Sequence, residues 1–541
     1  MHFPLLPDSR AAASALWLLG LACAVAAPLR AWQTTTPQHL PSPSLTQQLQ
    51  AILRARMPVS GKPPELHAAG SLFRATPDLP CFYDRRGFAP AWVGDASLRR
   101  DADELLAAIA EAPSDGLNPE DYHLAGLRQG LDQAKSQASP ADLAELDLGL
   151  TDAFLRLAAD LAHGRVNPEL IYSDCAIDVP EVDLPGVLES ALAAGTVRRS
   201  LADLAPAHPG YRALKQALAL YRTKDWPPVP AGAPLRTGDK NERVAALRAR
   251  LEASGDLVPP DPAAPPGERD LFDAPLQAAL RGFQGRQGLE DDGAVGPATL
   301  EALNVAAADR MRQIEINLDR WRWLPRDLGE RYVMVNVAGF ALQVVEADKP
   351  ILSMRIVAGK PSTRTPMFTG TMTHIVLNPY WNVPPVILKN EIEPKMKSDP
   401  GYAARENLEV LPGGKVRQKP GPNNALGKIK FLFPNRFNVY LHDTPAQALF
   451  SRSVRTFSHG CIRVEKPLDL AEYLLRDDPA WTREKIGSVL GDGRERWIVV
   501  PRPLPVHLVY WTAWVDDAGA LQFRKDVYGR DRPLLEMLGS D

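Results

Sequence analysis

The hydrophobic pattern of this 541-residue chain changes its period near residue 331. Before that point apolar residues recur at helical spacing, as in the stripe formed by Leu150, Phe154 and Leu157. After it, short runs rich in valine, isoleucine and aromatic residues are separated by turn residues, a pattern typical of β-strands. The chain therefore predicts an α+β multidomain protein, in which α-helical segments precede a mostly β domain.

The helical part divides into two segments at the proline-rich stretch 225–230. We predict a helical scaffold domain over residues 48–225, where no cluster of titratable side chains indicates a site. A small three-helix domain is predicted over residues 233–305, with Pro297 in the first turn of its last helix. Residues 306–330 are expected to form a connecting helix.

The β-rich part is predicted to cover residues 331–500, followed by a closing β-hairpin and a tail over residues 501–541. Residues 387–430 interrupt its strands with a segment that contains several proline, glycine and asparagine residues. An insertion of this length inside a β domain is either a disordered loop or a lid over a site.

The N-terminal 31 residues are typical of an export signal or a retained anchor. Residues 11–26 are apolar, and residues 24–26 supply the small side chains of a cleavage site. The following segment, residues 32–47, is rich in Thr, Pro, Ser and Gln, which predicts a flexible linker. We therefore expect an exported protein, which would contact the membrane only if the N-terminal segment is retained as an anchor.

The composition excludes some functions. A formal net charge of -3 provides no basic surface for nucleic acid. No cofactor is expected, and the protein is expected to be a monomer.

If Cys23 is removed with the signal, Cys81 and Cys175 could form a disulfide in an oxidising compartment, leaving Cys461 as an odd free thiol.

Cys461 lies in the segment 457–463, of sequence FSHGCIR. A thiol is mostly protonated at neutral pH, so a nucleophilic cysteine needs a base or a positive field. Gly460 leaves backbone N–H groups open to an oxyanion, and Arg463 supplies a permanent cation. His442, at the end of a strand-like run, offers a distant base, and this combination indicates thiol acyl transfer. The alternative is a buried structural cysteine.

Residues 331–500 resemble the catalytic domain of L,D-transpeptidases. The signature of that family is a histidine, about fifteen residues, and then Ser/Thr-His-Gly-Cys, matched here by His442 and by Ser458-His459-Gly460-Cys461. Further landmarks resemble the larger periplasmic branch of the family: residues 357–360 with Thr365-Pro366, residues 379–385, residues 440–445 and residues 510–515.

That branch also carries a helical scaffold and an inserted peptidoglycan-binding domain. The three-helix segment resembles the latter between residues 283 and 304, although a helical spacer without a ligand is an alternative. The fold implied is thus a mostly β L,D-transpeptidase domain with an inserted lid, after the scaffold and the peptidoglycan-binding-like domain. Glu465 departs from the family, where asparagine is expected.

The resemblance implies that Cys461 is the nucleophile and His442 its general base, with the N–H groups of Gly460 and Cys461 holding the oxyanion. In the family a nearby backbone carbonyl orients the histidine, and the Asp443 side chain is a rival candidate. Substrate-binding roles are implied for Tyr440, Arg463, Ser458, His459 and Trp381.

Each of three of these residues has two possible roles. Arg463 is implied either to bind a carboxylate of the substrate or to depress the pKa of the thiol. His459 either contacts substrate or supports the catalytic loop by packing and hydrogen bonding. Trp381 either forms an aromatic wall of the site or packs in the core.

The function implied is that of a periplasmic acyltransferase acting on peptidoglycan stem peptides. The third residue of a donor tetrapeptide is transferred to Cys461 with loss of D-alanine, and a second stem then takes the acyl group in a 3→3 cross-link. Other cell-wall synthesis enzymes are candidate partners.

Three rival functions stay open at this stage. A hydrolase, such as an L,D-carboxypeptidase, would use Cys461 with water as the acceptor. A zinc peptidase would use His442, His459 and Cys461 as ligands, but no carboxylate lies at a recognisable spacing. The third rival is a non-catalytic protein that binds the cell wall.

Overall fold

The computed structural model describes residues 43–57, 64–68, 71–94, 98–136, 138–177, 179, 181–259 and 268–539. The export signal or anchor predicted over residues 1–31 lies outside the described residues, as does most of the linker predicted over residues 32–47. The last residues of that linker differ from the prediction, because a helix begins at Leu45 and buries Leu49 and Leu53.

Helices form most of the region between residues 45 and 221. They are α1 (Leu45–Arg56), α2 (Asp78–Arg85), α3 (Arg100–Glu111), α4 (Leu124–Ser136), α5 (Pro140–His163), α6 (Pro168–Ile171), α7 (Leu184–Ala194), α8 (Val197–Ala202) and α9 (Pro209–Tyr221). A short antiparallel hairpin joins β1 (Glu65–Ala68) to β2 (Ser71–Arg74).

Helix α5 lies at the centre of this helical region. Ser139 caps it: its hydroxyl accepts the Asp142 N–H, and the Asp142 carboxylate accepts the Ser139 N–H. The predicted stripe of Leu150, Phe154 and Leu157 is buried among residues of the neighbouring helices. Because α5 is apolar on most of its surface, it serves as the core around which the other helices pack.

A second core joins α10 (Glu242–Ser254), α11 (Ala274–Arg286) and α12 (Pro297–Leu303). Inside it, the Gln284 side chain accepts the Gly293 N–H at 2.9 Å and donates to the Ala294 carbonyl at 3.0 Å. A buried amide that is fully hydrogen-bonded in this way fixes the turn before α12.

Helix α13 (Ala307–Arg322) connects these helices to the β domain. It is shorter than the predicted connecting segment and ends at Arg322. Its buried Arg320 makes an ion pair of 2.7 Å with Asp531 near the C-terminus. The helix therefore packs between the two parts of the chain, against α9 on one side and the C-terminal helix on the other.

The remaining strands are β3 (Cys175–Ala176), β4 (Arg331–Asn336), β5 (Ala341–Glu346), β6 (Lys349–Gly359), β7 (Met367–Leu377), β8 (Trp381–Asn382), β9 (Leu408–Val410), β10 (Val416–Gln418), β11 (Ile429–Leu432), β12 (Leu441–His442), β13 (Thr456–Ser458), β14 (Ile462–Val464), β15 (Arg496–Val509), β16 (Ala513–Val515) and β17 (Leu521–Phe523). The helices among and after them are α14 (Pro385–Ile387), α15 (Glu393–Ser398), α16 (Tyr402–Arg405), α17 (Pro467–Leu475), α18 (Arg483–Asp492) and α19 (Asp531–Gly539).

Eight of these strands close on themselves in the order β11-β12-β14-β6-β5-β4-β15-β7, because β7 also pairs with β11. The ring mixes parallel and antiparallel pairs, and its interior holds the largest apolar core of the β domain. Strand β3 comes from the helical region and pairs in parallel with β7. One edge of the β domain is therefore supplied by the N-terminal half of the chain.

The predicted boundary at residue 500 is wrong, because it cuts through β15. Val506 to Val509 continue the sheet and pair in parallel with β4, and only β16 and β17 form a hairpin. Pro501 and Pro503 lie within β15 and lack the backbone N–H that a ladder hydrogen bond needs. The structure accommodates them where the β15–β7 register shifts between Val499 and Leu504, so no ladder hydrogen bond requires their missing N–H groups. The predicted tail contains helix α19.

The insertion predicted over residues 387–430 is ordered. Strand β10 pairs with β8 and β9, and a small apolar core forms around Val383, Ile392 and Val416. The ordered unit begins earlier than predicted, since β8 belongs to it. It also ends earlier, since Ile429 and Lys430 lie in the core strand β11.

Candidate active site

A cleft of about 490 Å³ opens where β11, β12 and β14 meet the insertion. Seven of the eight site residues predicted from the sequence line it, and the eighth, Gly460, is buried next to Cys461. The lining residues are Trp381, Asn382, Pro384, Ile387, Ala425, Leu426, Lys430, Phe437, Asn438, Tyr440, His442, Ser458, His459, Cys461 and Arg463.

The strand register places three basic side chains in one row of this cleft. Lys430 on β11 is the antiparallel partner of His442 on β12, and His442 is the parallel partner of Arg463 on β14. Residues that are direct partners on neighbouring strands point to the same face of a sheet. Two cationic side chains, Lys430 and Arg463, therefore lie on either side of His442 in the cleft that Cys461 also lines.

The loop before Cys461 carries Gly460 at φ 114°, in the left-handed region that glycine tolerates. The Ser458 hydroxyl donates to the Cys461 carbonyl and accepts the Gly460 N–H at 3.2 Å. The prediction that the Gly460 N–H holds an oxyanion therefore needs correction, since that donor is occupied within the loop. Among the described residues, none accepts the Cys461 N–H, which is the donor that stays available.

His442 is 5% exposed, and its Nδ1 donates to the Asp443 carbonyl at 2.6 Å. Since a carbonyl oxygen only accepts, the proton lies on Nδ1, and Nε2 keeps the lone pair that a general base needs. The Asp443 carboxylate instead accepts the N–H groups of Lys428 and Thr444, both at 2.7 Å. Of the two orienting partners considered, the structure has the backbone carbonyl.

Burial, the Arg463 guanidinium and the Lys430 ammonium lower the pKa of His442 to about 3, against the effect of the Asp443 carbonyl. Burial raises the pKa of the Cys461 thiol, partly offset by Tyr440 and by the charges of Lys430 and Arg463. The thiol lies 3.9 Å from the Asn438 carbonyl oxygen. At neutral pH the resting site thus holds a neutral thiol and a neutral imidazole, and the thiol needs a base before it can attack.

Tyr440 packs beside His442, with 5.7 Å between the ring centroids. The Lys430 ammonium lies 4.0 Å from the centroid of the Tyr440 ring, a cation–π contact that positions it in the cleft. Burial and the adjacent Cys461 raise the pKa of the Tyr440 phenol, which stays a hydrogen-bond donor at neutral pH.

Arg463 is mostly buried, and burial lowers the pKa of its guanidinium. Its Nε has no hydrogen-bond partner in the described part of the chain. A buried guanidinium with an unsatisfied donor is costly on its own, so its geometry suits an anionic group that enters the cleft.

His459 and Trp381 both connect the cleft to the insertion. The His459 Nε2 lies 2.6 Å from the Glu391 carboxylate, which belongs to a π-helical turn over Leu388–Ile392. This contact links the loop that carries His459 to the insertion. Trp381 lines the cleft and also packs, partly buried, against the small core of the insertion.

Two other features singled out in the sequence are the possible disulfide between Cys81 and Cys175 and the unusual Glu465. Cys81 and Cys175 are free thiols, the first exposed and the second buried, so the proposed disulfide is absent between them. Glu465, which departs from the family pattern, accepts the Arg355 N–H at 3.0 Å and pairs with the Arg355 side chain, which joins β14 to β6.

The described part of the chain has neither a metal-binding cluster nor a membrane-spanning helix. No group of three or more His, Cys, Asp or Glu side chains there is arranged to hold a metal ion. No described helix is long and apolar enough to cross a membrane.

Lys430, Asn438 and Glu391 lie at the site but were not predicted from the sequence. Lys430 was taken as the end of the insertion, although its place between Ile429 and Phe431 is the apolar–polar–apolar alternation of a strand with one solvent-facing residue. Asn438, at φ 54°, gives the turn before Tyr440 a left-handed residue, a position for which asparagine is a common choice.

This fold and cleft bring a thiol, an imidazole and two cationic side chains together in one β domain, and family comparisons place that domain. Residues 330–483 match the family described as L,D-transpeptidase catalytic domain, and residues 240–303 match the one described as "Putative peptidoglycan binding domain". Residues 77–218 match the family described as Scaffold domain. The chain therefore contains an L,D-transpeptidase catalytic domain, which confirms the resemblance seen in the sequence.

Individual relatives share parts of the chain. A protein of Haemophilus influenzae named "Putative L,D-transpeptidase" is 32% identical over 243 residues, which cover 41% of this chain and 49% of the relative. The N-acetylmuramoyl-L-alanine amidase CwlM of Mycobacterium tuberculosis is 42% identical over 79 residues, 14% of this chain and 20% of that protein. The chain thus spans about half the length of the first curated relative and a fifth of the second. A solved L,D-transpeptidase from Xylanimonas cellulosilytica aligns at 19% identity over 52% of this chain and 98% of its own, with a TM-score of 0.18.

Replacing Lys430 by methionine is expected to raise the pKa of the Cys461 thiol, because a positive charge that stabilises the thiolate is removed. The midpoint of the pH profile for alkylation by iodoacetamide should move upward by roughly 0.5–1 pH unit. The matched control is Lys428→Met, at an exposed position two residues earlier. An unchanged midpoint in Lys430→Met would show that Lys430 does not act on the thiol.

Proposed function

We propose that this protein is a peptidoglycan L,D-transpeptidase that forms 3→3 cross-links through a cysteine thioester. The observation that carries the proposal is the convergence of Cys461, of His442 with Nε2 free, and of the unsatisfied Arg463 in one cleft of an L,D-transpeptidase domain. A nucleophile, an oriented base and a cation for an anionic substrate are the parts that acyl transfer requires.

In the first step, the His442 Nε2 takes the thiol proton as Sγ attacks the carbonyl carbon of the third residue in a donor stem. The carbonyl oxygen becomes an oxyanion, and the Cys461 N–H donates to it. When this intermediate collapses, the C–N bond breaks and the imidazolium returns its proton to the leaving amine of D-alanine. A thioester between the donor and Cys461 remains.

In the second step, the side-chain amine of an acceptor stem attacks the thioester carbonyl. His442 removes the proton from the attacking nitrogen, and a second oxyanion is held by the same N–H. Collapse expels the thiolate, which regains a proton from the imidazolium. The product is an amide between two stems, and the enzyme returns to its neutral thiol and imidazole.

The insertion serves as a lid in this proposal. Trp381, Ile387 and Leu426 present apolar atoms to the cleft, and the contact between His459 and Glu391 ties the insertion to the catalytic loop. An apolar cover that restricts water favours attack by an amine over hydrolysis of the thioester. Arg463 would hold a carboxylate of the donor stem.

The rest of the chain fits action at the cell wall. The domain over residues 240–303 matches a family that is described as peptidoglycan-binding, and it would keep the enzyme on its polymeric substrate. The N-terminal signal or anchor predicted from the sequence would export the protein to the periplasm, where stem peptides are accessible.

The proposal is tested by incubating purified protein with disaccharide-tetrapeptide muropeptides and analysing the products by mass spectrometry. We expect cross-linked dimers and free D-alanine in equal amounts, and neither product from Cys461→Ala. Tripeptide monomers without dimers would instead assign the hydrolase function to the same cysteine. Absence of any product from the wild type would favour a wall-binding role.

A further inference from the structure

Thr365 makes a hydrogen bond to the peptide unit between Gly460 and Cys461. The Thr365 hydroxyl donates to the Gly460 carbonyl at 2.9 Å, and its side chain is 0% exposed. In a trans peptide the C=O and the N–H of one unit point in opposite directions. The bond at the Gly460 oxygen therefore turns the Cys461 N–H away from Thr365, and Cys461 itself lines the cleft.

This orientation matters because the other candidate donor is occupied. The Gly460 N–H donates to the Ser458 hydroxyl, whereas no described residue accepts the Cys461 N–H. An oxyanion donor accelerates acyl transfer only if it already points to where the charge develops. The hydrogen bond from Thr365 to the Gly460 carbonyl, at the opposite end of the same peptide unit, keeps the Cys461 N–H in its direction.

Thr365 is itself fixed by a closed set of buried hydrogen bonds. Its hydroxyl accepts the Gly359 N–H at 2.9 Å, and its own N–H donates to the Tyr528 hydroxyl at 3.3 Å. The Tyr528 hydroxyl in turn donates to the Gly359 carbonyl at 2.6 Å. A side chain at Gly359 would clash with the Thr363 carbonyl, so only glycine lets the end of β6 approach this turn.

The C-terminal segment anchors this arrangement. The Tyr528 N–H donates to the Tyr510 hydroxyl at 2.9 Å, and the two rings stack with 5.4 Å between their centroids. The Tyr510 hydroxyl donates to Asp526 at 2.6 Å. A chain of buried hydrogen bonds thus extends from the last strand of the ring to the loop that bears the nucleophile.

We propose that Thr365 is a positioning residue that aims the Cys461 N–H at the oxyanion, and that Tyr528 holds Thr365 in place for this purpose. The proposal rests on the acyl transfer assigned above and adds a requirement for two residues outside the cleft. Thr365 touches no reacting atom, so its effect should be confined to steps in which a carbonyl oxygen gains charge.

The test compares two reactions of the same thiol in Thr365→Val, which removes the hydroxyl and keeps the shape of the side chain. Acylation by imipenem passes through an oxyanion, whereas alkylation by iodoacetamide is a displacement at a saturated carbon and does not. We expect acylation to slow roughly 10–100-fold, with the alkylation rate within about twofold of wild type. Thr365→Ser, which restores the hydroxyl, should recover most of the acylation rate.

Two further variants complete the experiment. Thr371→Val, which removes an exposed hydroxyl on β7, is the control and should leave both rates unchanged. If Thr365→Val does not fold, Tyr528→Phe tests the same arrangement and should slow acylation selectively by a smaller factor. Equal losses in both reactions, or no loss in either, would overturn the assignment of Thr365. Wild-type protein that is alkylated by iodoacetamide but not acylated would overturn the proposed function together with it.

Discussion

Cys461→Ala is expected to form no covalent adduct with imipenem and to lose the proposed transpeptidase activity by roughly 10³-fold or more, since removal of the proposed nucleophile leaves only binding and oxyanion stabilisation. The thiol lies in the cleft beside the row of Lys430, His442 and Arg463, and a β-lactam carbonyl can enter there. Intact-protein mass spectrometry of wild type and variant, after exposure to the drug, measures the adduct directly.

The control for this experiment is Cys81→Ala. Cys81 is a free and exposed thiol in the helical region, so it tests whether accessibility alone produces an adduct. We expect Cys81→Ala to be acylated at the wild-type rate. An adduct that persists in Cys461→Ala and disappears in Cys81→Ala would place the reactive thiol in the wrong domain for the proposed function.

His442→Gln is expected to lower the rate of acylation by roughly 10²–10⁴-fold, because it removes the base proposed to take the thiol proton. The glutamine side chain keeps much of the volume, which limits the cost of a cavity at a position only 5% exposed. Stopped-flow measurement of imipenem ring opening gives the rate. The control His374→Gln changes a histidine on β7 that lies outside the cleft and should leave the rate unaltered.

A second prediction for His442 concerns the pH dependence of acylation of the wild-type protein. Its pKa is lowered to about 3, so the imidazole becomes protonated, and useless as a base, only as the pH falls toward that value. The acylation rate should therefore be nearly flat between pH 5 and 8 and should show no inflection near 6.5, the ordinary pKa of histidine. An acid limb centred near 6.5 would contradict the neutral thiol–imidazole pair.

Several elements of the fold were predictable because their signals are local. The stripe of Leu150, Phe154 and Leu157 follows helical spacing, and Pro297 begins a helix as its fixed φ favours. The strands after residue 331 were recognisable from their β-branched and aromatic residues. Each of these signals depends on residues within one or two turns of each other, so no knowledge of the tertiary fold was needed.

The errors arose where pairing overrode local preference. Pro501 and Pro503 normally interrupt a strand, yet β15 continues through them because its ladder changes register at that point. The insertion contains many residues that favour turns, yet it folds around its own small core with β8 as a third strand. Neither the partner strand nor the register is encoded within the segment itself.

The features of the candidate site also fall into two groups, those that the sequence predicts and those that only the tertiary structure shows. The sequence by itself determined which residues are candidates, namely Cys461, the distant His442 and the basic Arg463, because residue type and spacing along the chain carry that chemistry. Only the tertiary structure decided that Lys430 joins His442 and Arg463, that the Asp443 carbonyl orients His442, and that the Gly460 N–H is occupied. Thr365, far from Cys461 in the chain, reaches Gly460 only after the strands have closed. These features depend on strand register and hydrogen-bond direction, which are set when distant segments pair.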